Sequence, residues 1–350
     1  MKREVAIVVL VGTMITAMVV GLCASAQAVN SYRVVMCGTL GGTDSWAEDV
    51  NDLGQVVGAM SDTAGVRHAF FWDPHGGLSI LFGSESYANA INNHGEVVGQ
   101  ARDPAGPWNA FIWNKANGLR FIPGMNGAND INDLGHVVGQ VSGGRAALWD
   151  SVNGTTRTVC NDINSVALGI NNLDQVVGYG RTTLPANNMV AFVWQNGPYG
   201  GALTYLQNAG LGSVAEDINN DGRIVGTTGM AEGAGPIRGF LVDPWSYPRF
   251  FQDNSLLRGV NDSGWAVGFD SQGGFVYEPS GRNYYLSSLA PTSIVLAYAI
   301  NSHGLIAATA GSLGNGTYPC LLIPVPEPSG LLVITSGMLG LGGVFWRKKR

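Results

Sequence analysis

The chain has 350 residues, 45% hydrophobic and only 13% charged, so a large core is within reach and charge-driven disorder is excluded. Its 51 Gly follow no three-residue period, which excludes collagen and indicates a chain full of turns. Between residues 29 and 346 it carries 13 basic against 24 acidic residues, net −11 with Lys115 the sole lysine; nucleic acid is excluded as a partner, because phosphate neutralisation needs clustered Lys and Arg.

At the N-terminus, Lys2 and Arg3 precede an apolar stretch from Val5 to Leu22, and small residues lead to Ala26-Gln27-Ala28. This three-part layout reads as a secretory signal peptide over residues 1–28, with Ala26 and Ala28 marking cleavage after Ala28. Leu22 is too bulky to make Cys23 a lipoprotein cysteine. The mature protein is therefore expected to be exported.

From there to residue 324 the chain repeats itself. An apolar residue and Asn are followed by a turn, an apolar pair and Gly: VNDLGQVVG at Asn51, INNHGEVVG at Asn92, INDLGHVVG at Asn132 and INNLDQVVG at Asn171. INNDGRIVG at Asn219, VNDSGWAVG at Asn261 and INSHGLIAA at Asn301 complete the set, at intervals of 41, 40, 39, 48, 42 and 40 residues. Ala stands four positions before the Asn in every copy but the sixth, which has Leu257. A period of this length is the mark of a repeat architecture.

Each period holds about four short strand signals. One runs into the Asn and one is the Val-Val-Gly segment. The Asn-x-x-Gly between them is hairpin chemistry, because Asn tolerates turn geometry and Gly accepts positive φ without steric cost; Asp174 replaces that Gly in the fourth copy. A third strand ends in aromatic or apolar pairs, as in His68–Trp72, Asn109–Trp113 and Ala191–Trp194. A fourth follows, as in Leu78–Phe82. The seventh copy lacks room for its fourth strand, whereas Tyr32–Leu40 is a spare strand before the first copy. The expected fold is an all-β, seven-bladed β-propeller over residues 29–324, with the strand at 32–40 completing the last blade and removing the open edge. These copies resemble the extracellular HAF repeat family, named for the His68-Ala69-Phe70 seen here, over roughly residues 32–323. The resemblance implies an exported propeller-like protein and brings neither a reaction nor a ligand.

Three cysteines follow the signal peptide: Cys37, Cys160 and Cys320. If Asp73 pairs with Leu78, aligning the copies makes Cys37 and Cys320 cross-strand neighbours in the closing blade. A disulfide there, with Cys160 unpaired, and three free buried thiols both stay open.

The search for chemistry returns little. The five histidines lie apart, with no HExxH and no Cys/His ligand set, so no metal or other cofactor is expected. Asp217, Asn219 and Asp221 open like a calcium loop, but Thr228 stands where an EF-hand needs Glu, and turn formation is the favoured role. No GxSxG elbow positions a serine. Glu48, Glu96 and Glu216 sit beside turns, where solvated charge is the default, and Trp72, Trp113, Trp149 and Trp194 recur at a position read as core rather than as a sugar-stacking ladder. The expectation is a non-enzyme; an extracellular glycan-acting or small-molecule enzyme with its site in the central funnel is the alternative.

The C-terminal stretch, residues 325–350, has Pro326-Glu327-Pro328, an uncharged run from Gly330 to Trp346 and the basic cluster Arg347–Arg350. As a helix the run is just long enough to span a bilayer, with the basic end in the cytoplasm. This stretch resembles the PEP-CTERM sorting signal of Gram-negative bacteria. The resemblance implies recognition of Pro326, Glu327 and Pro328 by an exosortase, transient anchoring in the inner membrane, and release to the cell surface or an exopolysaccharide matrix.

Overall fold

The computed structural model describes residues 29–326, apart from 182–188, 198–200, 231–234, 245 and 313–315. The expected signal peptide and the apolar run of the C-terminal stretch lie outside the described residues, as do Glu327 and Pro328; Pro326 ends a strand. No helix among the described residues is long and apolar enough to cross a membrane. The main body is Tyr32–Ile323; beyond it only residues 29–31 and 324–326 are described, each the end of a strand.

The described strands form seven antiparallel four-stranded sheets, one per repeat, in a seven-bladed β-propeller. β1 (Val29–Met36) is the outermost strand of blade seven, next to Gly316–Pro326. Blade one consists of β2 (Trp46–Val50), β3 (Val56–Ser61), β4 (Arg67–Asp73) and β5 (Gly77–Ile80), in that order from inside to outside. The other blades repeat this order, so every Asn copy closes the turn between the first and second strands. The closing strand runs 29–36 rather than 32–40, and a short helix, Leu286–Leu289, connects to blade seven where only strands were expected.

The turns follow the sequence chemistry. In blade one the Gly54 N–H donates to the Asn51 carbonyl at 3.0 Å, with Gly54 at φ +74°. Asp174 adopts φ +57° at the equivalent place.

Blade faces bury one another. Trp72, Trp149 and Trp194 are buried, each in a core shared with the preceding blade; Trp149, for example, packs with Val98, Ile112 and Ile122 of blade two. Three of the four recurrent Trp are thus core, as their period suggested, and Trp113 is partly buried, packed against the core between blades one and two. Five phenylalanines, Phe70, Phe111, Phe192, Phe240 and Phe275, are fully buried on the third strands. Each pairs with the repeat Gly on the second strand: Gly58, Gly99, Gly178, Gly226 and Gly268. These glycines are needed for close approach: a Cβ there would stand 2.0–2.2 Å from a carbonyl oxygen of the first strand.

The cysteine alignment needs correction. Asp73 pairs with Gly77, not Leu78, one residue away from the assumed register. Cys320 pairs with Ala308 and so occupies the Phe70 position, not that of Ala69. The Cys37 N–H donates to the Pro319 carbonyl at 3.0 Å. Cys37 shares a core cluster with Leu321, and adjacent strand residues face opposite ways, so Cys320 points to the other face of the blade. Cys37, Cys160 and Cys320 are all free and buried.

Candidate functional site

The site grows from one irregularity that the sequence did not announce. In every blade the innermost strand carries a β-bulge two to four residues before the Asn, between Ala47 and Asp49 in blade one and between Ala88 and Ala90 in blade two. The bulge turns two successive positions of the strand toward the propeller axis, as with Glu48 and Asp49 or Asn129 and Asp130. At the residue two before the Asn, the seven blades carry Asp49, Ala90, Asp130, Gly169, Asp217, Gly259 and Ala299.

Each aspartate is a latch. Asp49 accepts the N–H of Val50 at 2.7 Å and, across the blade boundary, that of Ile91 at 2.8 Å. Asp130 does the same for Ile131 and Ile170, both at 2.7 Å, and Asp217 for Ile218 at 2.7 Å and Val260 at 2.8 Å. Three carboxylates thereby satisfy six blades, and the small residues between them leave the space: a Cβ on Gly169 would already lie 3.1 Å from Asp217 Cα. Burial pushes Asp49 and Asp217 up to about 6, against the pull of their N–H donors. Asp130 is raised well above the usual range by burial and then by the charges of Asp217 and Asp49.

One residue earlier, Glu48, Glu216, Arg258 and Tyr298 meet. Arg258 Nη1 is 3.0 Å from Glu216 and Nη2 is 3.7 Å from Glu48, and the guanidinium lies 5.4 Å from the Tyr298 ring centre. Trp46 Nε1 donates to Glu48 at 2.8 Å. Burial pushes Glu48 up to about 7 and also raises Glu216, with Arg258 opposing in both cases. Glu48 and Glu216 are therefore channel residues, not the solvated turn charges expected of them. Glu96 is in its turn, accepting from Asn92 Nδ2 at 2.9 Å. The three aspartates line an axial cavity of about 330 Å³ together with Glu48, Glu216, Arg258 and Tyr298.

The repeat asparagines close the other mouth. Asn51 Nδ2 donates to the Asn92 carbonyl at 3.0 Å, Asn92 to Asn132 at 3.2 Å, Asn132 to Asn171 at 3.0 Å and Asn171 to Asn219 at 2.9 Å. Asn219 reaches Asn261 and Asn261 reaches Asn301, both at 2.9 Å, and Asn301 returns to Asn51 at 2.8 Å. The seven bonds form a closed ring. Each Asn is buried. In copies one to five and seven its Oδ1 also accepts two N–H groups of its own turn, as Asn51 does from Leu53 and Gln55.

The weak calcium candidate does not assemble. Asp217 is spent on backbone amides of the channel, Asn219 Oδ1 accepts the N–H groups of Asp221 and Arg223, and Asp221 is exposed on the turn. Among the described residues no group of three or more His, Cys, Asp or Glu could hold a metal ion. Buried serines six positions before the Asn were also missed: Ser86, Ser165, Ser213 and Ser255 each accept an N–H from the third strand of the preceding blade at 2.8–3.1 Å. Their recurrence at a constant offset was the available signal.

Comparison with known proteins agrees on fold alone. No family model matches, and no curated protein matches. The β-propeller domain of the Trilobed protease from Pyrococcus furiosus is similar with TM-score 0.52 and 9% identity, over 81% of this chain and 96% of that one. A chain of the Mitotic Checkpoint Complex gives TM-score 0.51 and 11% identity, over 87% and 97%. The acylaminoacyl peptidase of Pyrococcus horikoshii gives 0.49 and 9%, over 83% of this chain and 54% of that one. What the solved structures share with this chain is the β-propeller fold.

Proposed function

We propose that this chain is an exported, non-enzymatic propeller serving as a binding or structural component of a bacterial cell surface or extracellular matrix, delivered by a signal peptide and sorted by an exosortase through Pro326-Glu327-Pro328. The observation that supports the non-enzymatic part is the commitment of the channel acids. Asp49, Asp130 and Asp217 each hold two backbone N–H groups, and Glu48 and Glu216 share Arg258. Polar groups used this way hold blades together. Intact-mass analysis of protein from the native host tests the sorting: loss of the chain beyond the Pro-Glu-Pro region is expected, and a retained tail would point to simple anchoring.

A second reading, an extracellular enzyme acting on glycans in the funnel, draws on Glu48, whose carboxyl is held near neutrality opposite the Arg258-paired Glu216. A glycan-array screen beside a hydrolysis assay on the producer's own polysaccharide separates the two. Binding without turnover is expected; turnover abolished by Glu48→Gln would establish the enzyme.

A further inference from the structure

We propose that a cleft over Gly127 binds a sugar ring of an uncharged oligosaccharide, an inference that rests on the binding reading above and gives it a site. The cleft opens at the channel mouth opposite the asparagine ring. There the residue five before the Asn is Trp46 in blade one and Tyr87 in blade two, stacked with ring centres 6.0 Å apart. Tyr87 in turn meets Trp108, from the loop before the third strand of blade two, at 5.5 Å. Trp108 is braced by Arg102, whose guanidinium lies 4.7 Å from the ring centre and whose Nε donates to Glu85 at 2.9 Å. In blade three the equivalent position is Gly127, and the aromatic row stops.

The missing side chain leaves a cavity of about 410 Å³, within the range of roughly 300–1,000 Å³ usual for small-molecule sites. Trp108 forms one wall, and Gln100, Asn126, Asn129 and Gln140 surround Gly127. Their amides retain unused capacity. The Gln100 side-chain amide makes no hydrogen bond to any described residue. Asn126 Oδ1 accepts from Ser142, leaving its NH₂. Asn129 and Gln140 use their NH₂ groups on the Ala167 and Ser165 carbonyls at 2.8 and 3.0 Å, leaving their oxygens.

A partly exposed indole wall beside mixed amide donors and acceptors suits a pyranose, which offers an apolar C–H face and a rim of hydroxyls. Charge selects further. The cleft lining has no ionisable side chain, and Gln100 and Asn129 also line the channel, where five carboxylates face one arginine. Above pH 7, where Glu48, Asp49 and Asp217 are ionised, uronates and phosphates are repelled there.

Calorimetric titration with cellohexaose, laminarihexaose and mannohexaose, with hexagalacturonate as the anionic control, tests this. Saturable binding of at least one uncharged hexasaccharide is expected, with none of the galacturonate. Trp108→Ala should weaken it about tenfold or more. Gly127→Trp should abolish it by extending the aromatic row. A Cβ at this position meets only the far end of the Gln100 side chain, at 3.1 Å, and circular dichroism of the variant checks that the blades stay folded. Absence of uncharged hexasaccharide binding, or binding unchanged in both variants, overturns the cleft. If both variants still bind the producer's polysaccharide, the broader binding reading survives. If wild type binds no glycan at all, the glycan side of that reading falls with the cleft.

Discussion

Asp174 stands where the other six copies have Gly, in a left-handed conformation that costs a non-glycine residue about 1 kcal/mol. Its reason lies one blade away. In copies one, two and four, the ring Asn finds a second acceptor in the Gln or Glu four residues on, as Asn51 does in Gln55 at 2.7 Å. The third copy has His136 there, and Asp174 takes over, accepting from Asn132 Nδ2 at 3.0 Å and pairing with His136 Nδ1 at 2.6 Å. Asp174→Gly is expected to destabilise by about 1–2 kcal/mol in urea unfolding, with most of the loss recovered in the His136→Gln/Asp174→Gly double variant. Independent, additive effects would refute the pairing. Cys320 has a similar logic. It fills the phenylalanine slot opposite Ala308, the one repeat position that lost its Gly, so a smaller side chain accommodates the added methyl. Cys320→Phe should cost about 1–3 kcal/mol by overpacking, and Ala308→Gly in the same chain should restore much of it. Equal melting of single and double variants would remove this account.

At the scale of the element, the bulged innermost strand decides where the acids go. The period-two alternation of a regular strand would send one of Glu48 and Asp49 into the blade; the bulge sends both to the axis. The consequence is a pH signature. Asp49, Asp217 and Glu48 have folded-state values of about 6 to 7, above their unfolded range, so the native state binds these protons more tightly than the unfolded chain. The stability linked to them is fully present below the unfolded values and is lost as pH rises through 6 to 7. The melting temperature should therefore rise on going from pH 7.5 to 5. A flat or falling melt over that window would show that these carboxylates titrate as exposed ones do. The expected gain ends further down, where Asp73 and Glu85, held below their usual range by Gln55 and Arg102, begin to protonate.

For the whole molecule, the contacts that join the first and last blades include β1 as the outer strand of blade seven, and the Asn301-to-Asn51 bond that completes the ring across 250 residues. Deleting residues 29–36 leaves the edge of Gly316–Pro326 unpaired, and we expect loss of a single cooperative transition together with aggregation, read by calorimetry and light scattering. A soluble truncation with an unaltered melt would mean that blade seven closes without β1.

The sequence by itself determined the module, its number and its closure. Repeat period, turn residues and alternating strands are local properties, and a chain of seven four-stranded units with one spare N-terminal strand has a ring as its edge-free solution. It also carried the ring asparagines and the core tryptophans as periodic positions. Only the tertiary structure decided what those positions do, because a hydrogen bond from Asn51 to Asn92, or from Asp49 to Ile91, joins residues about forty apart through the packing of neighbouring blades. The bulges, the one-residue register that sets Cys37 and Cys320 on opposite faces, and the cleft left by Gly127 depend likewise on which face each side chain takes once the blades meet.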